Sequence, residues 1–507
     1  MLLVIYKKLY SDVLFIISYF LAIIRRLFMA NEEAAAAPAP EMKKKKERTF
    51  PDTLIIVAVI VLVMAILTWI IPSGSYDYQD VDINGRTRSV AIDGTYHTID
   101  KSKVTTTTFL GFFGSFYRGC VSAADIIFVI FCCCGTFSVM VKTGAFHSGI
   151  GVLMKKLGSK GLIMVPILML LFGLGGSIFG MASEFYGFYP LIIGLGIAMG
   201  YDAMFGFAVI ALGEFIGFMG ATMNPYTVGI AQNIAGLPLY SGTGFRAICF
   251  AVFEGISILY VIRYAKKLEK DPKYSVVYGE KNIHEFTGGS LDSYEFHTSD
   301  ALVLLDMVVT LVILMIGLMK WGWDYPQLCG LFLIMSMVAA AIKKWSPNKW
   351  CAEFTDSAKT VLWGCLLTGC AKAIVVVMTD AQIMDTVIFA LSNLLKHAPS
   401  AISAELMLIV QTLINFFIPS GSGQAVATMP IMAQLSDLIG VSRQTAVLAF
   451  QFGDGLSNIF WPTADIVIIC GLGGIKLEKW YKWFTPLFFI ILAAQIAMIA
   501  IAVAIGY

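Results

Sequence analysis

The chain has 507 residues, 58% of them hydrophobic and 14% charged, with a formal net charge of +2. Soluble chains carry about a quarter charged residues, so the composition excludes a water-exposed globular enzyme, and the near-neutral balance gives no electrostatic footprint for nucleic acid. The ten cysteines lie mostly in apolar runs, Cys132, Cys133 and Cys134 among them, with no CxxC pair; they read as small hydrophobes, not as metal ligands or disulfides.

In chain order, residues 1–50 come first, as an N-terminal extension and basic tail. The apolar run 13–24 is short for a crossing, which takes about 20 residues. It reads as an interfacial helix or as an extension ahead of a start at Met29, not as a cleaved signal peptide. Lys43 to Lys46 and Arg48 precede the first span, 53–71, and put the N-terminus in the cytoplasm by the positive-inside rule. The rest of 51–117 is polar, and Asn84-Gly85 between alternating stretches signals a β-hairpin outside the membrane. A span at 122–141 returns to Lys142, Lys155, Lys156 and Lys160, with 151–158 amphipathic along the interface. Residues 161–245 hold no Lys or Arg. A span at 247–262 ends in Arg263, Lys266, Lys267 and Lys270, which makes the loop 265–299 cytoplasmic. Linking spans at 301–318 and 328–342 return to Lys343, Lys344 and Lys349. Spans at 359–378 and 486–505 complete the chain, and the C-terminus is expected outside the cytoplasm.

Two stretches match weakly but in order. Thr143 pairs with Thr379 at an offset of 236, Pro190 with Pro430 at 240, and Pro225 with Pro462 and Gly236 with Gly473 at 237. One copy, 118–264, starts outside and the other, 351–507, starts inside. The expected fold is therefore an all-α polytopic membrane protein of about 9–11 spans with inverted-topology repeats, the arrangement of many secondary carriers. Each copy carries two interruptions. Residues 176–190 (GSIFGMASEFYGFYP) and 418–430 (IPSGSGQAVATMP) read as re-entrant hairpins; 220–227 (GATMNPYT) and 454–463 (DGLSNIFWPT) read as broken transmembrane helices. Irregular backbone at membrane depth is tolerated where it is buried in protein or lines a cavity, so two tips and two breaks are expected to meet at the binding site.

The segments MASEFYGFYP, MNPYT, PSGSG and NIFWPT resemble the C4-dicarboxylate anaerobic carrier-like family of the ion transporter superfamily, over about 50–505. The resemblance implies a carrier in the plasma (inner) membrane with an elevator-like motion, moving dicarboxylates or amino acids, arginine/ornithine-type exchange included. It also implies that Ser-, Asn- and Thr-bearing tips hold solute and coupling cation. The Ser-Asn-Thr triplet of the superfamily's dicarboxylate/sodium carriers is not intact here, where the tips read Ala182-Ser183-Glu184 and Ser422-Gly423-Gln424.

The expected solute-binding residues are Ser183, Glu184, Asn224, Thr227, Ser422, Gln424, Asn458 and Thr463; Glu184, Asp454 and Asp465 are expected to carry a coupling sodium ion or proton. A carboxylate at membrane depth costs about 2.5–3.5 kcal/mol on insertion scales and so marks function or a partner. Ser420 is a further hydroxyl candidate, and Glu214 a further proton site unless it faces a loop. Trp461 reads as a site wall or as packing. The stretches 161–245 and 398–475 hold Glu184, Asp202, Glu214, Glu405, Asp437, Asp454 and Asp465 against Arg443 alone, a field that suits an amino acid, particularly a basic one exchanged by antiport, better than a dianion. A sodium- or proton-coupled C4-dicarboxylate carrier is the alternative, and a channel or solute sensor the rival of another class. The five histidines fall in loops or interfacial stretches and no GxxxxGK[ST] pattern occurs, so neither an enzyme, a resident metal or cofactor, nor ATP-driven transport is expected. The expected partners are a small solute and the lipid bilayer, with a homodimer by analogy to elevator carriers.

Overall fold

The computed structural model describes residues 53–281 apart from 84–85, 147, 150–151 and 153–157, and residues 296–507 apart from 397–401. The expectations for residues 1–52, for the Asn84-Gly85 turn and for most of the amphipathic 151–158 segment fall outside these residues.

Helix α1 (Thr53–Ile70) leads into four short strands, β1 (Ser73–Ser75), β2 (Tyr78–Ile83), β3 (Arg86–Ala91) and β4 (His97–Ile99). β2 pairs antiparallel with β3, Ile83 opposite Arg86, and β1 pairs with β4. Then come α2 (Phe109–Ser122), α3 (Ala124–Lys142), α4 (Met164–Leu174), α5 (Phe188–Ala198), α6 (Ala203–Met219), α7 (Val228–Ile234) and α8 (Thr243–Lys270). α9 (Thr298–Lys320) and α10 (Tyr325–Ile342) connect to the second half: α11 (Pro347–Asp380), α12 (Met384–Lys396), α13 (Ser403–Phe417), α14 (Gly421–Leu438), α15 (Arg443–Ser457), α16 (Asp465–Gly473) and α17 (Leu477–Ala504). Seven helical stretches among the described residues are long and apolar enough to cross a membrane.

The order of elements recurs. The scaffold helices α2 and α3 correspond to the 34-residue α11; the hairpin α4/α5 to α13/α14; the broken helix α6/α7 to α15/α16; and α8 to α17, 28 residues each. Both legs of each hairpin pack on the broken helix of their own half, α6 or α15, and α6 and α15 pack on each other. Their approach is close enough that a Cβ on Gly455 would lie 2.3 Å from the Met219 Cα. α11 runs against α1, α2, α3 and α16. The outcome matches the all-α reading with two hairpins and two broken helices. The span expected at 122–141 is α3, Ala124–Lys142; the structure differs in adding a separate helix ahead of it, α2, and in that the span at 359–378 is the end of a helix starting at Pro347. α2 is held by packing along α11, and not by hydropathy alone.

Chain breaks at membrane depth leave backbone groups without partners, and each half resolves this locally. In the first break, Thr222 donates its N–H to the Ser177 carbonyl at 2.9 Å, while the Thr222 carbonyl accepts from the buried guanidinium of Arg246 in α8, at 2.9 and 3.2 Å. In the second, the Ile459 and Phe460 carbonyls accept from Trp480 Nε1 (2.8 Å) and Tyr481 OH (2.7 Å) in α17.

Candidate functional site

The first hairpin reverses at Gly180, whose φ of +68° is left-handed. A Cβ there would also lie 2.3 Å from Asn224 Oδ1, so glycine is required on both counts. Five residues of π-helix, Gly175–Phe179, precede the turn, and a single 3-10 turn, Ser183–Phe185, follows it. That turn aims the Glu184 carboxylate back at its own backbone, where it accepts from the Ala182 N–H at 2.9 Å. The second hairpin reverses at Pro419, after which Ser420 caps α14 by accepting from the Gly423 N–H. Gly421 presses against the first break: a Cβ there would meet Thr227 Cγ2 at 2.5 Å and Asp454 Oδ2 at 3.0 Å.

The two tips and the two breaks meet around one cavity of about 270 Å³. Its walls include Ser183, Glu184, Thr227, Ser420, Ser422, Thr463 and Asp465, all of them singled out in the sequence. Glu184 is 7% exposed, and Asp465 accepts a hydrogen bond from Tyr186 OH at 3.0 Å. Thr227 and Thr463 are buried with hydroxyl oxygens that have no partner among the described residues.

Four expected residues stand behind this wall. Asn224 is buried under Gly180 and accepts from the Tyr226 N–H at 2.9 Å, which shapes the first break. Gln424 ties the legs of the second hairpin together through Gln411, with its Nε2 2.7 Å from Gln411 Oε1. Asn415 Nδ2 donates to Asp454 Oδ1 (2.9 Å), Gln424 Oε1 (3.1 Å) and Asn458 Oδ1 (3.2 Å). This joins Asp454 and Asn458 in a second, fully buried polar cluster. Within it, among the described residues, Asp454 Oδ2 and Asn415 Oδ1 are unpartnered, and Asp454 Oδ2 and the Thr227 methyl both face Gly421. Neither Glu214 nor Asp454 faces a loop. Both are fully buried, and Glu214 accepts from Tyr189 OH at 3.0 Å. Trp461 packs, donating to the Thr412 carbonyl at 2.6 Å.

Charge in the cavity differs from the sequence count. Asp202 caps α6 by accepting from the Phe205 N–H, and Asp437 pairs with Arg443 at an exposed helix end, so neither contributes. Among the described residues the cavity's carboxylates are Glu184, Asp465 and Asp324, and the turn Trp323-Asp324-Tyr325 ahead of α10 forms part of the wall. Against them stands Lys372 of α11, with Thr368 and Ala371 beside it. Sequence reasoning passed over Lys372 because the tally covered only the two interrupted stretches. The available signal was a lysine well inside a stretch, 360–379, otherwise free of charge.

At the helix ends outside the cavity, ion pairs set the pKa values. Burial works to push the Glu280 carboxyl up, but a hydrogen bond from Lys476 and the charges of Lys479 and Lys476 outweigh it and hold it below the usual range. The Arg443 hydrogen bond holds Asp437 below the usual range as well.

The family described as "C4-dicarboxylate anaerobic carrier" matches residues 50–504. A protein of Escherichia coli (strain K12), named "Putative basic amino acid antiporter YfcC", is 30% identical over 467 residues, 85% of this chain and 92% of that one. An uncharacterized protein of Haemophilus influenzae is 27% identical over 482 residues, 86% of this chain and 94% of its own length. Among solved structures, the YdaH transporter of Alcanivorax borkumensis is 14% identical with a TM-score of 0.41, over 90% of this chain and 99% of that one. MtrF of Neisseria gonorrhoeae is 16% identical with a TM-score of 0.42, over 90% of this chain and 96% of that one.

Proposed function

The chain belongs to the C4-dicarboxylate anaerobic carrier family, and from that membership we propose that it is a secondary active transporter exchanging a small amino acid, one with a second cationic group, by elevator-like alternating access. The observation that carries this reading is the charge of the cavity where tips and breaks meet: three carboxylates, Glu184, Asp465 and Asp324, against one ammonium, Lys372. A dianion would meet net repulsion there. A solute with one carboxylate and two ammonium groups, net positive, is drawn to walls in which carboxylates outnumber the one ammonium. Its carboxylate goes to the side of Lys372 and the N-terminus of α14 with Ser420 and Ser422, and its ammonium groups to Glu184 and Asp465. The basic amino acid antiport in the name of the Escherichia coli relative agrees with this chemistry.

The positive-inside rule puts Lys343, Lys344, Lys349, Lys476 and Lys479 on the cytoplasmic side of the inner membrane and the C-terminus opposite. Coupling falls to the buried cluster around Asp454, where among the described residues Asp454 Oδ2 and Asn415 Oδ1 are unpartnered oxygens of the kind that ligate a sodium ion or hold a proton. That cluster also favours a second reading, a sodium-coupled C4-dicarboxylate carrier, in which co-bound cations offset the acidic walls.

Counterflow in proteoliposomes separates the two. Liposomes preloaded with L-lysine or L-arginine are expected to accumulate the labelled amino acid, with succinate a weak competitor. Strong competition by succinate with none by amino acids overturns the first reading, and single-channel currents overturn both.

A further inference from the structure

Lys372 stands apart from the other charged groups of the site. Glu184 and Asp465 sit on a tip and a break, the elements that move on the elevator reading proposed above, whereas Lys372 sits on α11, which packs most extensively against α2, α3 and α1 and also borders α16 of the second break. It lies eight residues before the end of α11 at Asp380, about 12 Å at 1.5 Å per residue. Its ammonium therefore serves the cavity, not the helix end. It is close enough to Asp465 to feel its charge, yet among the described residues it has no ion-pair partner.

The repeat shows what replaces Lys372 when the moving elements take the mirrored position. Every offset between 236 and 240 puts the counterpart of Lys372 at one of Cys132, Cys133, Cys134, Gly135 or Thr136 of α3. None of these is charged, and the stretch already packs against the first tip, with Cys134 Sγ 3.9 Å from the Tyr186 carbonyl. On the proposed carrier reading, Glu184 and Asp465 are carried between the two positions while Lys372 stays behind.

We propose that Lys372 is a one-sided specificity residue: the carboxylate of the solute meets an ammonium partner in the orientation of this structure and meets none in the opposite one. By the cavity's position at the Asp380 end of α11, remote from Lys349, the discriminating face is the extracytoplasmic one. There the site distinguishes an amino acid from the amine left by removing its carboxylate. At the cytoplasmic face it reads the cationic groups alone. A charge-assisted contact of this kind makes a difference of about 10- to 100-fold.

The test uses right-side-out and inside-out membrane vesicles containing the full chain. Labelled L-lysine is exchanged against external L-lysine or 1,5-diaminopentane, which is lysine without the carboxylate. In right-side-out vesicles the wild type is expected to favour lysine by about tenfold or more, Lys372→Gln to compete equally with both, and Lys372→Arg to keep the preference. In inside-out vesicles all three are expected to show the same small preference. Lys372→Gln with the wild-type preference, a preference lost equally at both faces, or Lys372→Arg behaving as Lys372→Gln overturns the inference. If Lys372→Gln does not fold, as read by gel filtration, the arginine variant and the sidedness of the wild type still decide. Wild-type vesicles without saturable lysine exchange overturn the carrier reading itself, a result distinct from normal exchange whose preference ignores residue 372.

Discussion

Gly421→Ala puts a methyl group where the second tip meets the first break. The new Cβ would sit 2.5 Å from Thr227 Cγ2, 3.0 Å from Asp454 Oδ2 and 3.4 Å from Phe218 Cζ. Non-bonded carbons rest about 3.5–4.0 Å apart, so the tip must retreat by about 1 Å. Thr227 is fully buried, and its side chain cannot simply swing into open space. Overpacking of this kind costs about 1–3 kcal/mol, set against less than about 1 kcal/mol gained from the better helix former at the start of α14. The functional cost is larger, because a displacement of about 1 Å in a positioned site can cost about 100-fold in rate. The expected result is a 10- to 100-fold slower lysine counterflow with a melting temperature only modestly lowered. Gly423→Ala is the control: its Cβ would meet Ser420 Oγ at 3.1 Å, the movable end of a side chain, and its rate is expected within about threefold of wild type. A Gly421→Ala protein that transports at the wild-type rate would refute the placement of the tip against the break.

Gly217→Ala in α6 brings a Cβ to 2.1 Å from the Gly173 carbonyl oxygen of α4, backbone against backbone, and is expected to lose more than about 2 kcal/mol in detergent melts. Gly255→Ala in α8, with nothing within 4 Å, is expected to be neutral or to gain up to about 1 kcal/mol; equal melting of these two variants contradicts the helix contact. Asp385→Ala removes the acceptor of the Tyr76 N–H (3.0 Å) and Tyr78 OH (2.8 Å), so hydrogen exchange across 73–99 is expected to accelerate by about tenfold while transport persists. The depressed Glu280 pKa gives a pH dependence with a definite sign. The tie from Glu280 to Lys476 and Lys479 is fully present above the ordinary glutamate range and weakens only as pH falls through the lowered value. Proteolysis of 271–281 is therefore expected to be flat from pH 8 to about 5 and to rise below that, and Glu280→Gln is expected to raise it across the flat range and to remove the rise; a step near neutrality would contradict the assignment.

Much of the architecture was legible because glycine, proline and serine clusters at membrane depth interrupt a helix, although helix runs on through Pro430 at the end of one such cluster. Gly180, Pro225, Ser420 and Pro462 mark the four places where helix stops, and their neighbours Ser183, Glu184, Thr227, Ser422, Thr463 and Asp465 line the cavity. What remained hidden depends on packing between elements distant in sequence. Asn224 and Gln424 carry polar groups at the right depth, but each turns toward its own hairpin, a direction fixed by Gly180 and Gln411. Lys372 looks like an ordinary intruder in a span until α16 packs on α11 and gives it Asp465 to face. The docking of Tyr78 on Asp385 joins residues 307 apart and has no local signature at all.

The two halves share a backbone plan with little sequence, and the carbonyls at the breaks show how. Each break frees acceptors that lipid cannot satisfy, and the last helix of the same half must supply the donors. In the first half one buried guanidinium, Arg246, does so while also bonding the Ser241 carbonyl and Tyr507 OH. In the second, two neutral aromatic donors, Trp480 and Tyr481, take one carbonyl each. The physical requirement is the same and the chemistry is not, so the repeat persists as a pattern of donors and acceptors while its letters diverge. The same freedom allows the halves to differ in charge where they face the solute. On the proposed carrier reading, a duplicated scaffold with identical lining would offer the solute the same site from both sides, and a lysine on α11 without a counterpart on α3 would make the two orientations chemically unequal while leaving the shared backbone plan intact.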